Sequence, residues 1–195
     1  MFKIVYWVVM IALYPFYRFR FVGRENIPEG AAVVCGNHTA NSDAIFLVLA
    51  NGPRGDYGFI AKEELFHVPF LRHLIRWLHA FPVKRGSGDM QAIRTGFSIL
   101  KSGKKLLLFP QGTRVRDGKT VEPKTGAVIF ATRAKVPLVP VYIPEGRKIF
   151  KQNTVIIGKP YFPELPEEKP TSEDYHAMTH ELMGRIFALK EGEGA

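Results

Sequence analysis

A histidine and an aspartate five residues apart, His38 and Asp43, have the residue types of a general base and its orienting carboxylate. If the carboxylate holds one ring nitrogen, the other nitrogen is left as a proton acceptor of fixed tautomer. On a continuous helix the two side chains would point about 140° apart, so contact requires a bend, for which Asn41 and Ser42 are suitable. No Gly-x-Ser-x-Gly elbow supplies a nucleophile. The pair therefore predicts a base that acts directly on a substrate hydroxyl group.

The His-x4-acid spacing is weak evidence when it stands alone. With six histidines and 18 acidic residues among 195 positions, chance supplies a match about 0.5 times per chain. A histidine in a turn followed by an aspartate that caps a helix would explain the same residues without any catalysis. The elements around the pair favour chemistry, because a strand, a tight polar turn and a helix start form the site at which open α/β folds bind substrates.

The apolar runs of the chain alternate between strand-like and helix-like segments. We expect one α/β domain with a mixed, largely parallel sheet flanked by helices, since 195 residues are too few for two ordinary domains. Strands are predicted over 31–36, 57–61, 81–85, 105–109, 137–143 and 154–157. Helices are predicted over 44–50, 69–78, from Ser87 or Asp89 to Gly103, over 126–134, and from a capping box at Thr171 and Asp174 onward.

The first 17 residues are almost uniformly apolar. A helix over Ile4–Tyr17 would be about 21 Å long, short of the roughly 30 Å hydrocarbon core of a bilayer. We predict that residues 1–20 lie in one leaflet, with Arg18, Arg20 and Arg24 on the cytoplasmic side, and that residues 21–195 form the globular domain. The alternative is a helix that packs on the domain itself.

The charge distribution predicts an anionic partner. The net charge is +9, but residues 161–195 contain eight acidic and three basic side chains, so the preceding part is far more basic. Nucleic acid, an acidic membrane surface and a phosphorylated substrate all fit such a surface. Nucleic acid is disfavoured because the aromatic residues cluster in apolar runs, as core residues do. The single cysteine, Cys35, excludes an internal disulfide and a Cys-based zinc site, and fits a reducing compartment.

Three further strand ends carry polar or conformationally special residues. Arg114 offers a bidentate fork for a phosphate, Lys62 a point charge, and Gly112 and Thr113 backbone N–H groups. Each has a structural alternative: Lys62 can be a solvated lysine and Phe109–Thr113 an ordinary turn. The run Val136–Val141 could be an edge strand of the core or a wall of a substrate site, and its prolines favour the edge strand.

These residues, in this order, resemble the glycerolipid acyltransferases, in particular the lysophosphatidic acid acyltransferases. The resemblance covers roughly residues 21–160. It rests on four blocks and a following lysine–glycine pair: Asn37-His38-x4-Asp43, Ala61-Lys62-Glu63-Glu64-Leu65, Phe109-Pro110-Gln111-Gly112-Thr113-Arg114, Val136-Pro137-Leu138-Val139-Pro140-Val141, and Lys124-x-Gly126. Together the blocks are far more specific than the His-x4-Asp spacing alone.

The resemblance implies transfer of a fatty acyl group from acyl-CoA or acyl carrier protein to the 2-hydroxyl of 1-acyl-glycerol-3-phosphate, giving phosphatidic acid. It implies His38 as the base and Asp43 as its partner, with Lys62 and Arg114 on the acceptor phosphate. Gly112 and Thr113 would assist in phosphate binding. Supporting positions are Asn37, Gln111, Lys124, Gly126 and Pro140. We expect no metal, no cofactor and no nucleic acid, and a peripheral or monotopic protein on the cytoplasmic face of a bacterial membrane.

One position departs from the family pattern, since the third block usually carries glutamate where this chain has Gln111. Glutamine retains the hydrogen-bonding carbonyl and loses the charge. If the glutamate only accepts N–H groups, the reaction is preserved, whereas a required charge would change the acceptor. Other acceptors stay open: a lysophospholipid with a larger head group, glycerol-3-phosphate or a lipid A-type sugar. A non-catalytic basic membrane-binding module is the alternative of another class.

Overall fold

A computed structural model describes residues 2–84, 89–115 and 121–191, and within these ranges a seven-stranded sheet lies between two layers of helices. The strands are β1 (Phe19–Val22), β2 (Val33–Gly36), β3 (Tyr57–Lys62), β4 (Ala80–Val83), β5 (Lys105–Leu108), β6 (Leu138–Tyr142) and β7 (Asn153–Ile157). The helices are α1 (Phe2–Tyr17), α2 (Asp43–Asn51), α3 (Leu71–Trp77), α4 (Met90–Lys101), α5 (Gly126–Ala134) and α6 (Ser172–Ala188). Short 3-10 helices cover Arg24–Asn26 and Glu63–His67.

The strand order in the sheet is β1-β7-β6-β2-β5-β3-β4. Every neighbouring pair is parallel except β6 and β7, which run antiparallel. The predicted fold class, a single α/β domain with a mixed, largely parallel sheet, is therefore confirmed. Because β6, β2, β5 and β3 are parallel neighbours, the loops that follow their carboxyl ends gather at one edge of the sheet.

Residues within one strand alternate between two cores, one on each face of the sheet. On β5, Leu107 packs with α1 and α2 residues, whereas Leu106 and Leu108 pack with residues of α4, α5 and α6. Burial on both faces explains why these strands read as continuous apolar runs in the sequence.

Each predicted strand and helix has a counterpart whose bounds differ by about two residues, except that Arg85, the predicted end of the strand that matches β4, lies outside the described residues. At α4, Oδ1 of Asp89 accepts the N–H groups of Gln91 at 3.0 Å and Ala92 at 3.1 Å, while the alternative cap, Ser87, lies outside the described residues. The capping box of Thr171 and Asp174 is present at the start of α6. Strand β1 has no counterpart among the predicted strands.

The prediction that Val136–Val141 forms an edge strand is wrong, because β6 lies between β7 and β2. Leu138 exchanges two backbone hydrogen bonds with Tyr161, and the ladder with β7 resumes at Val141. Pro140 falls between these two points, where its carbonyl accepts the N–H of Gly158 at 2.9 Å. An interior strand accommodates the proline because no partner needs its missing N–H at this position.

Helix α1 packs on the domain along one face and exposes apolar side chains on the other. The Tyr6 hydroxyl, buried in the core, donates to the carbonyl of Leu49 at 2.9 Å. Arg24 donates to Tyr6 Oη at 2.9 Å and to the carbonyls of Leu49 and Ala50 at the end of α2, so it links α1 to α2. The exposed face carries large apolar residues: Ile4, Trp7, Val8, Ile11, Tyr14 and Phe16. No helix within the described ranges combines the length and apolarity needed to cross a bilayer.

Candidate active site

The turn between β2 and α2 brings His38 and Asp43 into contact. The strand ends at Gly36, the chain bends through residues 39–42, and α2 begins at Asp43, so the two side chains meet as the spacing requires. Nδ1 of His38 lies 3.0 Å from Oδ2 of Asp43. Nε2 of His38 has no hydrogen-bond partner among the described residues, and 11% of the side chain is exposed. This geometry leaves Nε2 as the nitrogen that can accept a proton.

Asp43 is completely buried and is surrounded by donors. Its Oδ2 also accepts the backbone N–H groups of Thr39 at 2.5 Å and Ala40 at 2.7 Å, and its Oδ1 lies 2.5 Å from Nη2 of Arg147. Burial by itself raises the pKa of Asp43, but the hydrogen bonds from His38, Ala40 and Thr39 and the charge of Arg147 outweigh it and lower the pKa below the ordinary value. Asp43 is therefore an anion at neutral pH.

The His38 ring and backbone are fixed by the third sequence block. The ring stacks on Phe109 with a centroid distance of 4.2 Å and an interplanar angle of 11°. The backbone N–H of His38 donates to Oε1 of Gln111 at 2.6 Å, and its carbonyl accepts the N–H of Val115 at 2.9 Å. Gln111 thus acts as a hydrogen-bond acceptor, a task for which the amide carbonyl serves as well as a carboxylate.

Asn37 joins the ends of β2 and β6. Its Nδ2 donates to the carbonyl of Ile143 at 2.9 Å, and its Oδ1 accepts the N–H of the same residue at 2.7 Å. Gly36 allows the close packing beside it, since a Cβ there would lie 3.1 Å from Cδ1 of Ile143 and 3.3 Å from the Phe109 ring. Asn37 therefore has a structural role that positions the neighbouring His38.

The residues after Gln111 form a turn at the same edge of the sheet. Gly112 has a φ of 64°, in the left-handed region that favours glycine, and its N–H donates to the Phe109 carbonyl at 3.0 Å. Thr113 and Arg114 are exposed, and Arg114 has no ion pair with any described residue. Lys124 closes the turn through its backbone N–H, which donates to the Pro110 carbonyl at 2.7 Å.

Neither Lys62 nor Pro140 forms a hydrogen bond or an ion pair with His38 or Asp43 in the described part of the chain. Lys62 ends β3, and its ammonium group, on a side chain that is 41% exposed, lies 2.8 Å from Oε1 of Glu64. Pro140 is buried in β6 opposite Cys35, so it belongs to the core. Gly126 is the first residue of α5. The structure shows no contact of Lys62 with Arg114 or His38.

Sequence reasoning missed Arg147, whose side chain is 6% exposed and ion-paired with Asp43. It lies in the loop after β6, at the same sheet edge as His38. The sequence does offer one signal for Arg147, which is a charged residue shortly after a strand, β6, whose carboxyl end reaches the site. Its pairing with Asp43 could not be predicted, because 103 residues of chain lie between the two. The Phe109 stacking partner was also missed.

A cleft of about 840 Å³ opens beside the turn. Its walls combine polar groups near the His38–Asp43 pair with apolar side chains from the loop after β6 and from α6, among them Thr39, Ser42, Gln111, Arg147, Ile149 and Phe187. Such a mixed lining suits a ligand with a polar head and an apolar chain. His38, Lys62 and Arg114 are not among the residues that line this cleft, although Thr39, Ala40 and Gln111, which lie next to or contact His38, are.

One pair of histidines, His176 and His180 on α6, has the i, i+4 spacing of metal ligands, which the sequence analysis did not single out. Nδ1 of His176 lies 3.4 Å and Nε2 of His180 2.9 Å from Oε1 of Glu122, so both histidines face one exposed carboxylate. Within residues 2–84, 89–115 and 121–191, no group of three or more His, Cys, Asp or Glu side chains could hold a metal ion.

Comparison with known proteins gives a consistent result. A sequence model of the Acyltransferase family matches residues 18–144. The 1-acyl-sn-glycerol-3-phosphate acyltransferase of Bacillus subtilis is 33% identical over 173 residues, which cover 86% of this chain and 85% of that protein. A chloroplastic protein of the same name from Brassica napus is 30% identical, and the match covers 78% of this chain but 47% of that longer protein.

A solved structure shares the architecture. The crystal structure of the 1-acyl-sn-glycerophosphate (LPA) acyltransferase PlsC from Thermotoga maritima superimposes with a TM-score of 0.69 and 25% sequence identity. The match covers 100% of this chain and 79% of that protein.

The lowered pKa of Asp43 predicts how its stabilising effect depends on pH. A carboxylate whose folded-state pKa lies below its ordinary value of 3.8 stabilises the fold above that value, and the effect is lost as the pH falls through the folded-state pKa. Asp43→Asn leaves Arg147 without its charged partner and should lower the free energy of unfolding at pH 7 by about 3 kcal/mol. Urea unfolding of both proteins from pH 7 to pH 3 should give a constant difference above about pH 5 that shrinks below pH 4. A difference that grows towards acid pH would contradict the assignment.

Proposed function

Because the chain belongs to the acyltransferase family, we propose that it transfers a fatty acyl group from a thioester donor to the 2-hydroxyl of 1-acyl-glycerol-3-phosphate, giving phosphatidic acid. The observation that carries this proposal is the His38–Asp43 pair, with Nδ1 of the histidine engaged and Nε2 unpartnered among the described residues. The names of the relatives and of the related crystal structure support the choice of acceptor.

In the proposed reaction, Nε2 of His38 accepts the proton of the acceptor's 2-hydroxyl as its oxygen attacks the thioester carbonyl. The new C–O bond forms, the C–S bond breaks, and the imidazolium returns the proton to the leaving thiolate. Asp43 remains ionised throughout, because its lowered pKa keeps it anionic beside the imidazolium. Proton transfer and positioning need neither a metal nor an organic cofactor in this scheme.

We place the acceptor phosphate at the turn that carries Arg114. The guanidinium is exposed and has no ion pair with any described residue, so it is available for a bidentate contact with a phosphate. Gly112 and Thr113 adjoin it in the chain and can add backbone N–H groups. Lys62 would have to exchange its contact with Glu64 for the phosphate, which makes it the weaker candidate.

The donor is acyl-CoA or acyl carrier protein, since both present the same thioester to His38. Gln111 does not argue against the reaction, because its carbonyl already accepts the His38 N–H at 2.6 Å. The other possible acceptors are a larger lysophospholipid, glycerol-3-phosphate and a sugar. They differ from the proposed acceptor in what surrounds the hydroxyl group, so measuring activity with each acceptor in turn distinguishes them.

We also propose that the exposed face of α1 seats the protein in one leaflet of a membrane, on the cytoplasmic side. The helix has 16 residues, about 24 Å of rise, and its outward side chains are apolar from Ile4 to Phe16, with one exposed lysine, Lys3, near its start. At its end, the exposed ring of Phe150 lies 5.9 Å from the ring of Phe16, which extends the apolar surface towards the site edge of the sheet. An interfacial helix would give the active site access to an acceptor and a product that reside in the bilayer.

His38→Ala should abolish turnover by removing the general base. In mixed micelles with 1-acyl-glycerol-3-phosphate, we expect acceptor-dependent thiol release from oleoyl-CoA or from acylated acyl carrier protein, reduced about a hundredfold to ten-thousandfold in the variant. Circular dichroism should show an unchanged fold. If the variant turned over within a few-fold of the wild type, His38 could not be the general base. If the wild type acted only on another acceptor, the proposed substrate would be wrong. If the wild type bound membranes but released no thiol with any acceptor, the non-catalytic membrane-binding module would be favoured.

Arg114→Ala should weaken capture of the acceptor phosphate. We expect the acceptor KM to rise about ten- to a hundredfold while the donor KM changes little, as for loss of a charged hydrogen-bonded contact. Arg133→Ala is the matched control, since Arg133 is also exposed but lies in the last turn of α5, away from the turn that carries Arg114. Equal increases in both KM values would indicate structural damage and contradict phosphate binding.

Ile4→Ser/Ile11→Ser should release the protein from membranes. These side chains are 68% and 70% exposed, so the fold should persist while binding to phosphatidylcholine vesicles containing phosphatidylglycerol weakens at least about tenfold. Met90→Ser/Ile93→Ser on α4 serves as the control for exposed apolar residues elsewhere. Vesicle sedimentation unchanged in the α1 variant would assign the anchor to another surface.

A further inference from the structure

We infer that Arg147 is a positioning residue for the reaction, which holds the Asp43 carboxylate in the orientation that its hydrogen bond to His38 requires. This inference rests on the proposed function, in which the His38–Asp43 pair accepts and returns the substrate proton. Arg147 lies outside the four sequence blocks and reaches the site from the loop that follows β6.

The guanidinium of Arg147 is held from several directions. Nη2 lies 2.5 Å from Oδ1 of Asp43 and donates to the Ser42 hydroxyl at 3.0 Å. Nη1 donates to the carbonyl of Pro144 at 2.9 Å, in its own loop. The guanidinium carbon lies 4.7 Å from the centre of the Phe46 ring on α2. These contacts give the side chain one defined position.

Arg147 and His38 take different oxygens of the same carboxylate. Oδ2 serves His38 and the N–H groups of Thr39 and Ala40, whereas Oδ1 faces Arg147. With both oxygens held, the carboxylate cannot rotate, and the tautomer and tilt of the imidazole are fixed with it. Oδ1 accepts no hydrogen bond from the described residues, so the charge of Arg147 is what compensates it. Without Arg147, Oδ1 would be a buried charged oxygen with neither a hydrogen bond nor an ion pair to a described residue.

The loop that presents Arg147 is itself fixed to the end of α1. The N–H of Phe150 donates to the carbonyl of Phe16 at 2.5 Å. Nδ2 of Asn153, the first residue of β7, donates to the carbonyl of Tyr17 at 2.6 Å and to that of Lys148 in the loop at 3.1 Å. The position of Arg147 therefore depends on the packing of α1 against the domain.

A direct role in phosphate binding fits Arg147 poorly, although it lines the cleft. Its side chain is 6% exposed and its guanidinium already contacts a carboxylate, a hydroxyl and a carbonyl. Arg114, by contrast, is exposed and has no ion pair with any described residue. Substitution of the two arginines should therefore change different kinetic parameters. Loss of Arg114 should raise the acceptor KM, whereas loss of Arg147 should lower kcat.

The acid side of the pH–rate profile gives a second prediction. Burial raises the pKa of Asp43, and His38, the N–H groups of Thr39 and Ala40, and Arg147 lower it. Removing Arg147 leaves burial less opposed, so Asp43 takes up a proton at a higher pH than in the wild type. Activity that requires ionised Asp43 is then lost at a higher pH.

The test compares Arg147→Ala, Arg147→Lys and the control Lys148→Ala, whose exposed side chain belongs to the same loop. We expect Arg147→Ala to lower kcat about 30- to 100-fold with less than about a threefold change in the acceptor KM. Arg147→Lys should retain part of the activity, added guanidinium should partly restore Arg147→Ala, and Lys148→Ala should resemble the wild type.

A rise in the acceptor KM with unchanged kcat would overturn the inference in favour of phosphate binding. Wild-type kcat in Arg147→Ala would overturn it outright. A substrate-free readout separates this result from failure of the proposed function: the proton NMR resonance of the Nδ1–H of His38 should shift or broaden in Arg147→Ala and stay unchanged in Lys148→Ala. If Arg147→Ala does not fold, the same resonance in Arg147→Lys decides, and an unaltered signal there contradicts the role.

Discussion

The site depends on one buried charge, the carboxylate of Asp43. An ionised carboxylate without exposure to water is costly unless donors surround it, and a single missing partner would leave a charge uncompensated in the core. The fold supplies His38, two backbone N–H groups and Arg147. His38 and the two N–H groups come from the turn before α2, and Arg147 comes from a distant loop. The orientation of His38, the proposed general base, follows from meeting all of these constraints at once.

The parallel sheet explains how distant parts of the chain reach this carboxylate. The carboxyl ends of β2, β5 and β6 lie side by side, so the loop of Asn37 and His38, the turn of Gln111 and the loop of Arg147 share one edge. Hydrogen bonds then join the loops directly, from His38 to Gln111 and from Asn37 to Ile143. The helix α1 is linked to this edge through the loop after β6, which connects the proposed membrane surface to the proposed active site.

Local patterns predicted the fold better than they predicted the site. Strand and helix bounds followed from apolar runs and caps such as Asp89, and the contact of His38 with Asp43 followed from their spacing and the bend between them. Strand β1 was missed because it is short and half-exposed, and β6 was misplaced because its tolerance for Pro140 depends on how the chain leaves β7. Arg147 and Phe109 could not be assigned, since their contacts depend on which strands are neighbours.

The most direct test of the account is a double-mutant cycle on turnover with His38→Ala, Asp43→Asn and the double variant. If Asp43 acts only through His38, by orienting the ring and stabilising its protonated form, the kcat of the double variant should lie within about threefold of that of the less active single variant. Losses that multiply, about 10³-fold from each variant combining to about 10⁶-fold, would show that the two side chains act independently and would contradict the central claim.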